Sequence, residues 1–161
     1  MSEQEQTEIR FDFNKLPPSV NSMYRVCRGK VILSRGARDW KERFLFMKGG
    51  ADLRKLKAFK ETADPNRPWQ LHIWFLLPRG RLFTKTKRAK SKFKNVDTSN
   101  MVKIAEDGIE EIVEIIDKAN FSVLLHKRPS DMEGLVAILK PLDLEEDPYP
   151  IPEKEADYGP Y

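Results

Sequence analysis

The chain has 161 residues, with 29 Lys and Arg against 25 Asp and Glu, a net charge of +4, and a single cysteine. This length suits one domain with its own core, and no apolar run approaches the roughly 18 residues of a membrane-spanning helix, so no membrane partner is expected. Cys27 has no intrachain disulfide partner, which predicts a reducing, cytoplasmic setting, and the three Cys and His residues are too few for a zinc cluster.

Charge is distributed unevenly along the chain. Residues 143–161 contain seven acids and one base, so with the whole chain at +4 residues 1–142 carry +10. A body this basic predicts a polyanionic partner. The tail is also rich in proline and poor in aliphatic residues, which predicts a disordered or loosely held extension to a domain of residues 1–142.

Apolar periodicity predicts the first elements. Alternation over Thr7–Phe13 indicates a half-buried strand, and a short second strand is expected at Lys30–Leu33. Helical spacing of apolar residues then indicates a helix with Ser34 as its cap. Gly49 and Gly50 interrupt this helix, and one more amphipathic stretch follows them.

The second half of the chain completes an α+β pattern. Trp69–Leu77 is apolar on both faces, which predicts a central strand, and Ser99–Ile116 has the spacing of an amphipathic helix. Two last strands, Phe121–Lys127 and Leu135–Lys140, are joined by a turn at Pro129–Gly134. The predicted order is β-β-α-β-α-β-β, a small mixed sheet packed with two main helices.

A basic window follows the predicted central strand, with eight bases and no acid in residues 78–94. Such a loop is costly to bury and suited to phosphates, whose neutralisation releases counterions. Phe83 and Phe93 are placed to stack on exposed bases. The predicted DNA contacts are Arg79, Arg81, Lys85, Lys87, Arg88, Lys90, Lys92 and Lys94. The alternative is a solvated mobile loop without a partner.

Asp97 lies where this loop meets the next helix. Carboxylates beside a dense cationic field suit a hard divalent ion, which can polarise a phosphodiester and supply a hydroxide. Asn100, Lys103 and Asp107 share one helical face, opposite the apolar stripe. The alternative is that Asp97 or Ser99 caps the helix and that Lys103 and Asp107 form a surface ion pair.

Several short motifs follow one another along residues 9–140. They are Leu16–Arg25 (LPPSVNSMYR), Val31–Ser34 (VILS), Arg38–Lys41 (RDWK), Asp97-x-x-Asn100-x-x-Lys103, Asp107 and Asp117–Asn120 (DKAN). In this order they resemble the RusA family of Holliday-junction resolvases. The resemblance implies a RusA-like domain that hydrolyses four-way DNA junctions with Mg²⁺ or Mn²⁺ in recombination and repair. It also implies 5′-phosphate and 3′-hydroxyl ends, and a bacterial or phage setting.

The resemblance also implies roles for individual residues. The catalytic set is Asp97, Lys103 and Asp117, and the metal set is Asp97, Asp117 and Asp107. Further predicted DNA contacts are Asn21, Tyr24 and Asn100, with packing of the proline-rich loop as the open alternative for Asn21 and Tyr24. Ser99 and Lys118 replace carboxylates of the family. A relative that binds branched DNA without cleaving it is therefore the main alternative. A third possibility is a small interaction protein whose acidic tail docks a basic partner.

Helix length leads to a prediction about assembly. A helix of about 16 residues is roughly 24 Å long, so Asp97 and Asp117 are expected at its opposite ends. If both serve one metal site, a two-fold homodimer with antiparallel helices brings one subunit's Asp97 near its mate's Asp117. A homodimer also suits a four-way junction, which needs two symmetric cuts.

Overall fold

The computed structural model describes residues 8–18, 22, 24–85, 87, 91–94, 96, 98–115 and 117–149, with only the backbone of Ser99, Asn100 and Asp117. Its strands are β1 (Ile9–Phe13), β2 (Tyr24–Cys27), β3 (Lys30–Leu33), β4 (Trp69–Pro78), β5 (Asn120–Ser130) and β6 (Gly134–Pro141). Its α-helices are α1 (Arg35–Phe46), α2 (Leu53–Thr62), α3 (Arg79–Leu82) and α4 (Ser99–Val113), with 3₁₀ turns at Lys48–Gly50 and Asp117–Ala119.

Four strands form a mixed sheet in the order β1-β6-β4-β5, while β2 and β3 form a separate two-stranded ribbon. β5 is parallel to β4, and β6 is antiparallel to both β4 and β1. Therefore β1, β4 and β5 run in the same direction. Phe13, Leu135, Phe75 and Lys127 are paired in one row near the end of these three strands. We call this end the carboxyl edge of the sheet.

The hydrophobic core lies between one face of this sheet and the helices. The buried strand residues on that face include Ile9, Phe11, Phe13, Trp69, Leu71, Ile73, Phe75, Leu77, Leu135, Ala137 and Leu139. Phe44 of α1 stacks on Trp40 at 4.8 Å between ring centroids. A Cβ added to Gly108 of α4 would lie 2.8 Å from the Phe44 ring. The close contact between α1 and α4 therefore depends on a glycine.

The α+β class is confirmed, and so is the central position of β4. Ser34 caps α1 as predicted, since its Oγ accepts a hydrogen bond from the Ala37 N–H at 3.2 Å. The helix predicted to reach Ile116 ends earlier, at Val113, because Glu114 adopts a left-handed conformation with φ of 62°. Ile116 itself lies outside the described residues.

The predicted element order was incomplete, and the sequence left the pairing of the two last strands open. β2 and the short α3 were not predicted, because neither has an apolar face long enough to produce a periodic signal. The two last strands follow each other in sequence but are not paired, since β4 lies between β5 and β6. Parallel pairing with β4 therefore places β5 at the edge of the sheet.

The sheet face opposite the helices carries three neighbouring rings. The ring centroid of Trp74 lies 5.6 Å from that of His72 and 5.1 Å from that of His126, and all three side chains are half-buried. Both histidine Nε2 atoms are buried and have no hydrogen-bond partner among the described residues. Burial, followed by the charges of Lys140 and His126, lowers the pKa of His72.

Acidification should destabilise the protein through His72. Its pKa is lower in the folded protein than the roughly 6.5 of an unfolded chain, so the folded state binds fewer protons. Above about pH 7 His72 is neutral in both states and has no effect on the free energy of unfolding. As the pH falls below about 6.5, the unfolded chain binds the proton more readily, which reduces the free energy of unfolding. We expect His72→Gln to flatten the decline of the melting temperature between about pH 7 and 5. The control, Ser122→Ala on the same face, should keep the wild-type decline; an unchanged decline in His72→Gln would contradict the prediction.

Candidate nucleic-acid and metal site

Basic segments follow or occupy the ends of all three strands that finish at the carboxyl edge. The ribbon comes after β1, the basic window comes after β4, and Lys127 and Arg128 lie near the end of β5. Because these strands run in one direction, the topology brings the three segments to the same edge. The acidic tail starts at the opposite edge, where the Leu142 N–H donates to the Pro68 carbonyl at 2.9 Å.

The two ends of the basic window are bonded to each other. Phe83 and Phe93 form an antiparallel bridge, and the Lys94 N–H donates to the Leu82 carbonyl at 2.8 Å. The Lys94 ammonium also donates to the Gly80 carbonyl at 2.6 Å. These contacts fix both ends of the predicted loop.

Only one of the two predicted stacking rings faces solvent. Phe93 is 69% exposed, whereas Phe83 is partly buried and packs against the core. The guanidinium of Arg79 also lies 5.4 Å from the centre of the Phe83 ring. Phe93 therefore offers a free ring for a base, and Phe83 serves as its support.

The cations of the window divide into paired and unpaired ones. Arg81 pairs with Glu133 at 3.3 Å, so part of its charge is compensated within the protein. Lys85, Lys87 and Lys92 are exposed and have no acidic partner within 4 Å among the described residues. Arg88 and Lys90, also predicted as DNA contacts, lie outside the part of the chain that the structure describes.

The start of α4 is held at the same edge. The Lys127 ammonium donates to the Val96 carbonyl at 3.0 Å, and Val96 packs against the core. Thr98 occupies the N-cap position without a side-chain cap bond. Asp97 lies between these two residues and outside the described ones. Its neighbours on both sides thus lie beside the basic window.

Lys103 and Asp107 form the ion pair expected from their spacing, with 2.7 Å between Nζ and Oδ1. The hydrogen bond that the Lys103 ammonium donates to Asp107 raises the pKa of Lys103, and the charges of Asp107, Glu106 and Glu110 add to this effect. Lys103 therefore stays cationic at neutral pH. A metal ion at Asp107 would compete with this ammonium, which makes Asp107 a poorer ligand than its sequence position predicts.

Asn120 connects the segment that begins at Asp117 to the middle of α4. Its Nδ2 donates to Oε1 of Glu110 at 3.2 Å and lies 3.5 Å from Oε1 of Glu106. Its Oδ1 is buried and has no hydrogen-bond partner among the described residues. With a rise of about 1.5 Å per residue, these two glutamates lie roughly 10 to 16 Å from the first residue of α4. The segment is therefore separated from the start of the helix within one protomer.

Glu106, Glu110 and Asn120 bring side-chain oxygens together beside the segment that begins at Asp117. Carboxylate and amide oxygens are ligands that Mg²⁺ accepts, and the unpartnered Oδ1 of Asn120 leaves one such donor uncommitted. Within the described ranges no three Asp, Glu, His or Cys side chains are grouped so as to hold a metal ion. The side chains of Asp97 and Asp117 are not among those described.

Sequence reasoning predicted β3 (Lys30–Leu33) and singled out Tyr24, but it missed β2 and therefore did not recognise a two-stranded ribbon. Tyr24 is 44% exposed, while Asn21 lies outside the described residues. The available signal was the pair Arg28-Gly29, whose φ angles of 50° and 75° form the tight turn between β2 and β3. Asn100 is the second residue of α4, and its side chain is not described.

None of the helices in the described ranges has both the length and the apolar character that a bilayer crossing requires. No protein-family model matches the chain, and no curated protein sequence matches it. The resemblance to RusA resolvases therefore rests on the ordered motifs alone.

Proposed function

We propose that this protein is a RusA-like endodeoxyribonuclease that acts as a homodimer and cleaves four-way DNA junctions with Mg²⁺ or Mn²⁺. The observation that carries the proposal is the gathering of three basic segments at the carboxyl edge, beside the start of α4. That arrangement suits a branched polyanion, because phosphates bind cations that are fixed on one surface. The ordered motifs add the expectation of phosphodiester chemistry.

The residues have distinct tasks in this proposal. Asp97 and Asp117 would hold the ion, with Glu106, Glu110 and Asn120 as the oxygens beside the second of them. An Mg²⁺ ion held there would act as a Lewis acid on the phosphodiester. Lys103, held cationic by Asp107, compensates the negative charge that develops on the phosphate.

The chemical outcome follows from the bond that breaks. Water adds to phosphorus, the bond to O3′ breaks, and O3′ takes up a proton, which leaves a 5′-phosphate and a 3′-hydroxyl. Two symmetric cuts are needed to resolve a junction, and a two-fold dimer presents two equivalent sites. The separation between the Asp117 segment and the start of α4 is consistent with a site that both protomers complete.

A second candidate function is binding of branched DNA without cleavage. Ser99 and Lys118 favour it, because a hydroxyl is a weak Mg²⁺ ligand and an ammonium repels the ion. The Lys103–Asp107 pair favours it as well, since it occupies one of the predicted carboxylates.

The two functions separate on a synthetic four-way junction incubated with Mg²⁺ or Mn²⁺. A nuclease gives paired symmetric nicks, and Asp97→Asn should reduce nicking at least about 100-fold while leaving junction affinity within a few-fold of wild type. The control Asp64→Asn removes a carboxylate at the opposite edge and should nick normally. Tight binding without nicks by the wild-type protein would support the second function, and no binding at physiological salt would reject both.

A further inference from the structure

The β2–β3 ribbon is exposed on both of its faces. Every residue of β2 is exposed, and those of β3 are exposed or half-buried. Val26 is 74% and Val31 69% exposed, which is unusual for two apolar residues paired across a ribbon. The ribbon hydrogen-bonds to no other strand of the described residues, so it is available to enter a ligand rather than to complete the sheet.

The ribbon is basic and carries no acid. Arg25 and Lys30 lie on one face, because Arg25 pairs with Ile32 and Cys27 with Lys30 in register. Arg28 stands in the tight turn at the tip. The next acid along the chain after Tyr24 is Asp39, in α1. A ribbon with three cations and no compensating carboxylate favours a polyanion over a protein surface.

Both ends of the ribbon are fixed to the body of the protein. The Ser34 hydroxyl donates to the Ser22 carbonyl at 2.6 Å, which ties the chain before β2 to the chain after β3. Leu33 packs against the core, and the Trp40 indole N–H donates to the Lys15 carbonyl at 3.3 Å. The base of the ribbon is therefore tied to the start of α1 and to the core.

The dimensions of the ribbon fit one part of duplex DNA. Two strands lie about 4.8 Å apart and four residues extend roughly 13 Å, while the major groove is about 12 Å wide and 8.5 Å deep and admits a two-stranded ribbon. We propose that the β2–β3 ribbon enters the major groove of one DNA arm, an inference that rests on the proposed function. Arg28 at the tip contacts base edges there, and the basic window binds phosphates. Arg25 and Lys30 contact the groove walls, and the two valines meet thymine methyl groups.

In this proposal, affinity for DNA and preference for particular sequences come from different segments of the protein. Phosphate contacts position a protein on DNA, whereas contacts in the major groove distinguish base pairs. The ribbon then determines which sequences are preferred, and the window contributes affinity that is independent of sequence.

The single cysteine provides a probe in the unaltered protein. Cys27 is exposed and lies on the ribbon face that carries Arg25 and Lys30. Saturating amounts of a 20-base-pair-arm junction without divalent metal should slow alkylation of Cys27 by a maleimide at least about 10-fold if the groove covers it. In the control, Cys27→Ser combined with Lys57→Cys on α2, alkylation should be unaffected by DNA. An unchanged alkylation rate of Cys27 at saturating DNA would overturn the proposal.

Chemical modification of guanine in the major groove is a second test. The wild-type protein should protect guanine N7, in the major groove, from dimethyl sulphate. Arg28→Gln should abolish this protection and reduce the preference between the best and an average arm sequence about 10-fold. Replacing Lys85, Lys87 and Lys92 with Gln should lower affinity but keep the protection at saturating protein.

The outcomes separate the inference from the function. Junction binding with full N7 protection in Arg28→Gln would refute the ribbon's role and leave the nuclease proposal intact. Loss of dimerisation in Arg28→Gln, with DNA affinity per protomer retained, would assign the ribbon to the protein partner instead. Absence of junction binding by the wild-type protein would refute the inference together with the proposed function.

Discussion

Replacing Lys85, Lys87 and Lys92 with Gln should weaken junction binding about 100-fold at 0.15 M salt and lower the slope of log affinity against log salt by about 2.7. Each contact with a duplex phosphate contributes about 0.9 to this slope, because one condensed counterion is released. These three lysines are exposed and have no acidic partner among the described residues, so their charge is available to phosphates. Fluorescence anisotropy over a salt series measures both quantities.

A matched variant tests whether position or total charge is responsible. Arg54, Lys55 and Lys57 are exposed on α2, and their replacement with Gln removes the same charge outside the basic window. This control should reduce affinity only a few-fold and leave the slope nearly unchanged. Equal losses in both triple variants would mean that DNA responds to net charge alone, and the basic window would lose its assigned role.

Replacing Gly50 with Ala should lower the free energy of unfolding by at least about 3 kcal/mol and the melting temperature by roughly 10 °C. Gly50 has a φ of 73°, and a Cβ there would fall 1.8 Å from the Asp12 carbonyl oxygen in β1. Because that atom belongs to the backbone of a sheet strand, relief requires the turn between α1 and α2 to move away from β1. Thermal unfolding followed by circular dichroism measures the effect.

The same substitution at Gly36 should act in the opposite direction. Gly36 lies inside α1, and a Cβ there meets nothing within 4 Å. Alanine stabilises a helix by up to about 1 kcal/mol relative to glycine, so a small rise in melting temperature is expected. If Gly50→Ala melted at the wild-type temperature or above, the close approach of the turn to β1 would be refuted.

Elements that bury much apolar surface were predicted from the sequence, whereas an element that buries little was missed. The central position of β4 was predicted because a strand with apolar residues on both faces is expected in the interior of a sheet and not at its edge. β2 was missed because its four residues are all exposed, so burial imposes no pattern on them. The pairing of β5 with β4 was not predictable from the turn before β6, since strand order is decided by packing between distant segments.

In the candidate site, contacts between near neighbours in sequence were predictable and contacts between distant segments were not. The spacing of Lys103 and Asp107 offered a surface ion pair as the alternative to a metal site, and the structure contains that pair, because residues four apart on a helix are neighbours. No local spacing relates Asn120 to Glu106 and Glu110, or Lys127 to Val96. Those contacts join segments far apart in the chain and arise only when α4 packs on the sheet.

Local rules were sufficient for the amphipathic helices, the alternating strand β1, the Ser34 cap and the excess of positive charge, since each follows from neighbours within a few residues. Only the tertiary structure decided that the ribbon, the basic window and the end of β5 share one edge of the sheet. The reason is that strand direction, which collects these cations in one place, depends on pairing between segments that are distant in sequence.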